Sequence, residues 1–121
     1  SEWGLESDEC KQILLYLKKE NFLNEERFAT AFVKDKFCFS QWGRLKITYA
    51  LRQKEISEQF INEALSLIDE DEYIDSLLTL LRGKKKNLKS GSDYEKSAKL
   101  IRFAQSRGFE LNVILKVLKQ L

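Results

Sequence analysis

The chain has 121 residues, 43% of them apolar and 33% charged, and a formal net charge of +2. One domain is expected at this length, with a core that takes roughly two thirds of the unfolded chain's surface out of water. No run approaches the ~20 apolar residues that span a bilayer, and with no His and two Cys the chain lacks a His-based triad and the usual zinc ligand sets.

No basic-then-apolar leader opens the chain and there is no Met, so Ser1 is expected to be a trimmed or processed start. Cys10 and Cys38 are too few for a disulfide framework, and a reducing cytosol is the expected compartment. Pro is absent, and Leu, Lys, Glu, Ala and Ile dominate, which predicts an all-α fold.

The first predicted helix covers residues 6–20, where the anchor Leu5 is followed by Cys10, Ile13, Leu14 and Leu17 on one face. Cys10 reads as a small buried hydrophobe. Asn24 then caps a helix carried by Phe28, Ala29, Phe32 and Val33. Phe37, Phe39 and Trp42 are expected in core or inter-unit packing, and Cys38 beside them reads as Cys10 does.

A helix from about Ser40 to Lys54 places Ile47, Ala50 and Leu51 on one arc and Leu45 with Tyr49 on another, so it is expected to pack on two sides. Arg44, Thr48 and Arg52 form an exposed polar arc between them, and Lys46 with Gln53 a second. Lys54-Glu55-Ile56 ends the helix, although Glu55 stands where a Gly would make a sharper stop. From the anchor Ile56 follow Phe60, Ile61, Ala64, Leu65 and Ile68 on one face. The acidic run at residues 69–72 lacks the alternating oxygens of a calcium loop and reads as a helix start, with Asp69 as cap and Ile74, Leu77, Leu78 and Leu81 inside.

Residues 82–92, RGKKKNLKSGS, read as a loop-like insertion without the spacing of a phosphate-binding loop. Ser92 and Glu95 fit a capping box for a helix to Arg107. Arg107-Gly108-Phe109 then repeats the earlier turn, and Val113, Ile114, Val117, Leu118 and Leu121 repeat the earlier face.

The anchors Leu5, Ile56 and Phe109 recur at spacings of 51 and 53 residues. Helices this short cannot bury a face alone, so the repeat predicts tandem three-helix units stacked into an elongated, curved, right-handed or solenoid-like array. Residues 1–23 would be the last helix of an incomplete first unit, 24–68 a second unit and 69–121 a third. Charge follows the same rhythm: residues 27–54 hold seven bases and one acid, 55–75 eight acids and no base, and 82–107 nine bases and two acids. Two basic zones along one side of the stack would suit a polyanion or an acidic protein surface.

The candidate contact residues are Arg44, Lys46 and Arg52 in the first zone and Lys84, Lys85, Lys86, Lys99 and Arg102 in the second. Each is also explained as an ordinary solvated surface charge. A recognition helix gathers its base-reading side chains on one exposed face, which the split arcs of residues 41–54 do not do. No carboxylate pair or nucleophile constellation supports an enzyme, and no cofactor is implied.

Two segments carry a resemblance. NEERFATAFVKDK at 24–36 and WGRLKITYALRQKEISEQFINEAL at 42–65 resemble the RecX regulatory proteins of bacteria, through Arg27-Phe28-Ala29, Phe32-Val33-Lys34, Gly43, Ile47, Leu51 and the turn at Lys54-Glu55-Ile56. The LIRFAQSRGFE segment at 100–110 is similar to the corresponding turn of the last unit. The resemblance implies a tandem three-helix protein, truncated at its N-terminus. Such a protein modulates the RecA recombinase: it lodges in the groove of the RecA filament on DNA and suppresses ATP hydrolysis, strand exchange and coprotease activity, and so regulates DNA repair, recombination and the SOS response. A cytoplasmic monomer with no enzymatic activity is expected. The alternative is a helical module that binds single- or double-stranded DNA directly through its basic zones.

Overall fold

The computed structural model describes residues 24–121, which form six helices and no strand. They are α1 (Glu25–Cys38), α2 (Arg44–Gln53), α3 (Glu58–Leu65), α4 (Glu70–Lys86), α5 (Asp93–Ser106) and α6 (Leu111–Leu118). The readings of Leu5, Cys10 and the helix over 6–20 lie outside the described residues. Among the described residues no helix is long and apolar enough to cross a membrane.

Three helix starts form as their capping residues dictate. Asn24 accepts from the Arg27 N–H, Asp69 accepts from the Glu72 N–H, and Ser92 with Glu95 forms a reciprocal capping box. Acidic side chains follow each cap, where the helix dipole favours them. The helix predicted from Ser40 starts later, at Arg44, because Gln41 takes a left-handed φ of 53° that no continuous helix accommodates.

The stop after α2 is as sharp as the one after α5. Glu55 adopts φ 61° and Gly108 φ 94°, and both turns close with the same bond pair: Ile56 N–H to Leu51 O with Glu55 N–H to Arg52 O, and Phe109 N–H to Ala104 O with Gly108 N–H to Gln105 O. This is the Schellman arrangement, which satisfies the last carbonyls and turns the chain back towards its own helix. The anchors Ile56 and Phe109 thereby reach the core.

Helices α1, α2 and α3 pack on one another, as do α4, α5 and α6, with no helix lying lengthwise against one of the other triplet. The apolar faces nevertheless merge into one core, in which Ala29, Val33, Ile47, Leu51, Ile61, Leu77, Leu81, Ile114 and Val117 are all fully buried. The join is made by Tyr73, which stacks with Phe37 and meets Phe109 in a tilted ring contact.

Several expectations change. Arg82 to Lys86 are not loop but the last turns of α4, whose acidic start and basic end both complement its dipole. Leu45 and Tyr49 do not pack: they are 57% and 66% exposed, so α2 buries one arc only. Phe39 is 41% exposed instead of buried, while Phe37 is in the core and Trp42 is half-buried against it. Cys38 is half-buried and packs against the core.

Candidate partner-binding surface

The start of α2 shows how the two triplets meet. Gly43, its N-cap, has no side chain to offer, and the first N–H groups of the helix would be orphaned by themselves. They are capped by the second triplet. Gly43 N–H donates to Arg107 O at 2.7 Å, Leu45 N–H to Gly108 O at 2.9 Å, and Arg44 N–H to the Tyr73 hydroxyl at 2.9 Å. The approach is close enough that a Cβ on Gly43 would lie 2.4 Å from the Gly108 carbonyl, and one on Gly108 would lie 2.3 Å from the Lys46 Cβ. Arg107 ties the loop from its other side by donating to Ser40 O at 2.9 Å.

Arg44 sits at the centre of this junction. Its guanidinium lies 3.8 Å from the Tyr73 ring centroid, donates through Nη2 to Glu70 at 2.6 Å and through Nη1 to Glu110 at 3.1 Å, and is only 23% exposed. Burial works against its charge, but the bonds to Glu70 and Glu110 outweigh that and raise its pKa. The Tyr73 hydroxyl donates to the other oxygen of Glu110. Burial, reinforced by that bond, pushes the phenol's pKa up.

Arg44 is therefore not on an exposed arc. It holds the two triplets together, and its reversal to Glu would set three carboxylates against one another. Arg52 is exposed but its fork is filled: Nε and Nη2 donate to the two oxygens of Glu58 at 2.7 and 2.8 Å, holding that carboxyl below its usual pKa. The helix wheel of α2 gave no sign of either pairing, because both partners lie beyond the helix.

The other cations named from the sequence fall in different places. Lys46 is half-buried with its ammonium over Trp42, and Lys84 is half-buried over Phe103. Lys85 and Lys86 are exposed and line an open groove of about 490 Å³ with Arg82, Gln120 and Leu121. Lys99 and Arg102 are exposed on α5. Sequence reasoning passed over Lys36 and Lys54, which share the Phe32 ring at 5.4 and 5.7 Å. The signal available was their place in a segment with a single acid. No group of His, Cys, Asp or Glu among the described residues is arranged to hold a metal ion.

A chain of tandem three-helix units, joined at a capped and ion-paired junction and displaying basic side chains, defines the class: an all-α repeat protein. The particular family follows from the comparisons. The sequence pattern of the second three-helix domain of RecX matches residues 24–65, and that of the third matches residues 70–118. Proteins named "Regulatory protein RecX" are similar over nearly the whole chain: 37% identical in Clostridium botulinum (strain Eklund 17B), over 97% of this chain and 55% of the relative, and 35% identical in Clostridium perfringens (strain 13), over 100% and 57%. The relative in Clostridium tetani is 32% identical over 98% of this chain and 55% of its own length. The chain belongs to the RecX family. It spans about half the length of the curated relatives it matches, and no solved structure matches it.

Proposed function

We propose that this chain is a non-enzymatic regulator that binds the filament of the RecA recombinase and restrains its ATP hydrolysis, strand exchange and coprotease activity, acting in the cytoplasm as a monomer to modulate DNA repair, recombination and the SOS response. The single observation that carries the reading is the match of two successive RecX three-helix domains across residues 24–118. Its contact surface is taken to be the basic side chains left available to a partner. Lys85, Lys86, Lys99 and Arg102 are exposed, and none of them forms an ion pair with another described residue. Arg44 and Arg52 are engaged with carboxylates of the chain itself.

The test adds the chain to preformed RecA filaments and follows ATP hydrolysis. Inhibition that saturates with added protein is expected; none at saturating protein overturns the reading. The variant with Lys85, Lys86, Lys99 and Arg102 all changed to Glu should keep its helix content and inhibit about tenfold less well, because reversed charges weaken a complementary contact.

Direct contact with single- or double-stranded DNA is a second reading, favoured by the same exposed cations. It predicts binding without RecA that weakens steeply with salt.

A further inference from the structure

Cation–π contacts of energetic weight occur about once per 70–80 residues. On one side of the first triplet three lysines share two rings. Lys46 and Lys36 lie over Trp42 at 4.7 and 5.0 Å, and Lys36 and Lys54 lie over Phe32 at 5.4 and 5.7 Å. Consecutive ammoniums therefore share a ring, in the order Lys46, Lys36, Lys54. Lys46 stands in the first turn of α2 and Lys54 is its C-cap, so the row runs along the helix for about 12 Å at 1.5 Å per residue.

Three like charges gathered this closely repel one another unless something anionic meets them. Among the described residues almost nothing does: the one described carboxylate at ion-pair distance from any of them is Asp35, 3.8 Å from Lys36. Two arginines of the same triplet behave otherwise. Arg44 and Arg52 are both forked onto carboxylates, the anion whose planar geometry suits a guanidinium. The lysines, which hold phosphate as point charges, are left on the rings.

We infer that Lys46, Lys36 and Lys54 form a row that holds successive phosphates of a nucleic-acid backbone. This rests on the second reading above, direct contact with nucleic acid, and is independent of filament inhibition. A length of ~12 Å passes about three phosphates of one strand at 3.4 Å each. The row is blind to bases. Phe32 is 8% exposed and Trp42 half-buried, and both rings already carry their own ammoniums, so neither is offered to a base as a stacking platform. The rings act instead by holding three flexible side chains in line, which reduces the entropy lost on binding.

The test measures the anisotropy of labelled single-stranded and duplex oligonucleotides with the full chain, without recombinase, across a salt series. The triple variant Lys36→Gln, Lys46→Gln, Lys54→Gln should bind at least tenfold more weakly at 50 mM salt. Its slope of log K against log salt should be shallower by about 2 for the single strand and 3 for the duplex. The single change Lys46→Gln should remove about one third of that difference, and the triple change to Arg should keep binding. Circular dichroism and melting establish that each variant is folded. A triple Gln variant with the affinity and slope of the wild type overturns the row while leaving nucleic-acid binding standing. A wild type that binds neither oligonucleotide overturns both the row and the reading under it. Polyglutamate competing as well as an oligonucleotide of equal charge assigns the row to an acidic protein surface and overturns the phosphate proposal.

Discussion

At Glu55 the backbone holds φ 61° in a Schellman turn that the second triplet builds with Gly108. A residue with a Cβ pays roughly 1–2 kcal/mol for that conformation, and Gly almost none. Glu55→Gly is therefore expected to stabilise the chain by about 1 kcal/mol, read as a higher urea midpoint with an unchanged slope; an unchanged midpoint would show that Glu55 gains a compensating interaction. The repeat pattern placed this turn correctly in the sequence, and the substituted Gly was the one reason to doubt its sharpness. Arg44 was the opposite case. Its position on the polar arc of α2 was legible, but a helix wheel knows nothing of Glu70, Tyr73 or Glu110, and those residues decide what Arg44 does.

At the scale of elements, α2 is a helix whose N-terminus is finished by another unit. Gly43→Ala would drive a methyl into the Gly108 carbonyl, backbone that has no rotamer to move. The bonds from Gly43 and Leu45 to Arg107 and Gly108 should then break. The expected cost is about 1–3 kcal/mol or more, seen as a lower melting temperature and a separation of the unfolding of the two triplets. A single cooperative transition at the wild-type temperature would show that the crossing is dispensable. Gly83→Ala is the control: nothing lies within 4 Å of the added Cβ, and in the last turns of α4 the change should be neutral or stabilising by up to about 1 kcal/mol. That glycine and its lysine run also explain why residues 82–92 read as a loop. Composition suggested a break, but the helix had already been nucleated by the Asp69 cap and the apolar face through Leu81.

For the whole molecule the two triplets depend on Tyr73, whose ring joins Phe37 to Phe109 and whose hydroxyl links Arg44 to Glu110. Its folded pKa is raised above the ordinary 10.0, so its contribution is complete below pH 10 and is lost as pH rises towards the folded value. Above pH 10 the unfolded chain releases this proton and the folded chain keeps it, so this group should lower stability by about 1.4 kcal/mol per pH unit. Tyr73→Phe should be less stable than the wild type at pH 7 by about 1–3 kcal/mol, because the Arg44 amide and Glu110 lose a partner. The gap should narrow between pH 10 and 11 in urea unfolding. A gap constant across that range would show that the hydroxyl titrates freely in the folded chain.

The sequence by itself determined the helical class, the three-helix repeat, three of the caps, both helix stops and most core positions, though not Tyr73, Leu100 or Ala104. These follow from 3.6-residue periodicity and from bonds between residues three to five apart, which a linear reading contains. Tertiary structure alone decided which cations remain available. An ammonium or guanidinium reaches partners across the fold, so the pairing of Arg44 with Glu70 and Glu110, and the gathering of Lys36, Lys46 and Lys54 on two rings, depend on where separate helices come to rest. Charge was legible from the order of residues, but its direction was set by packing.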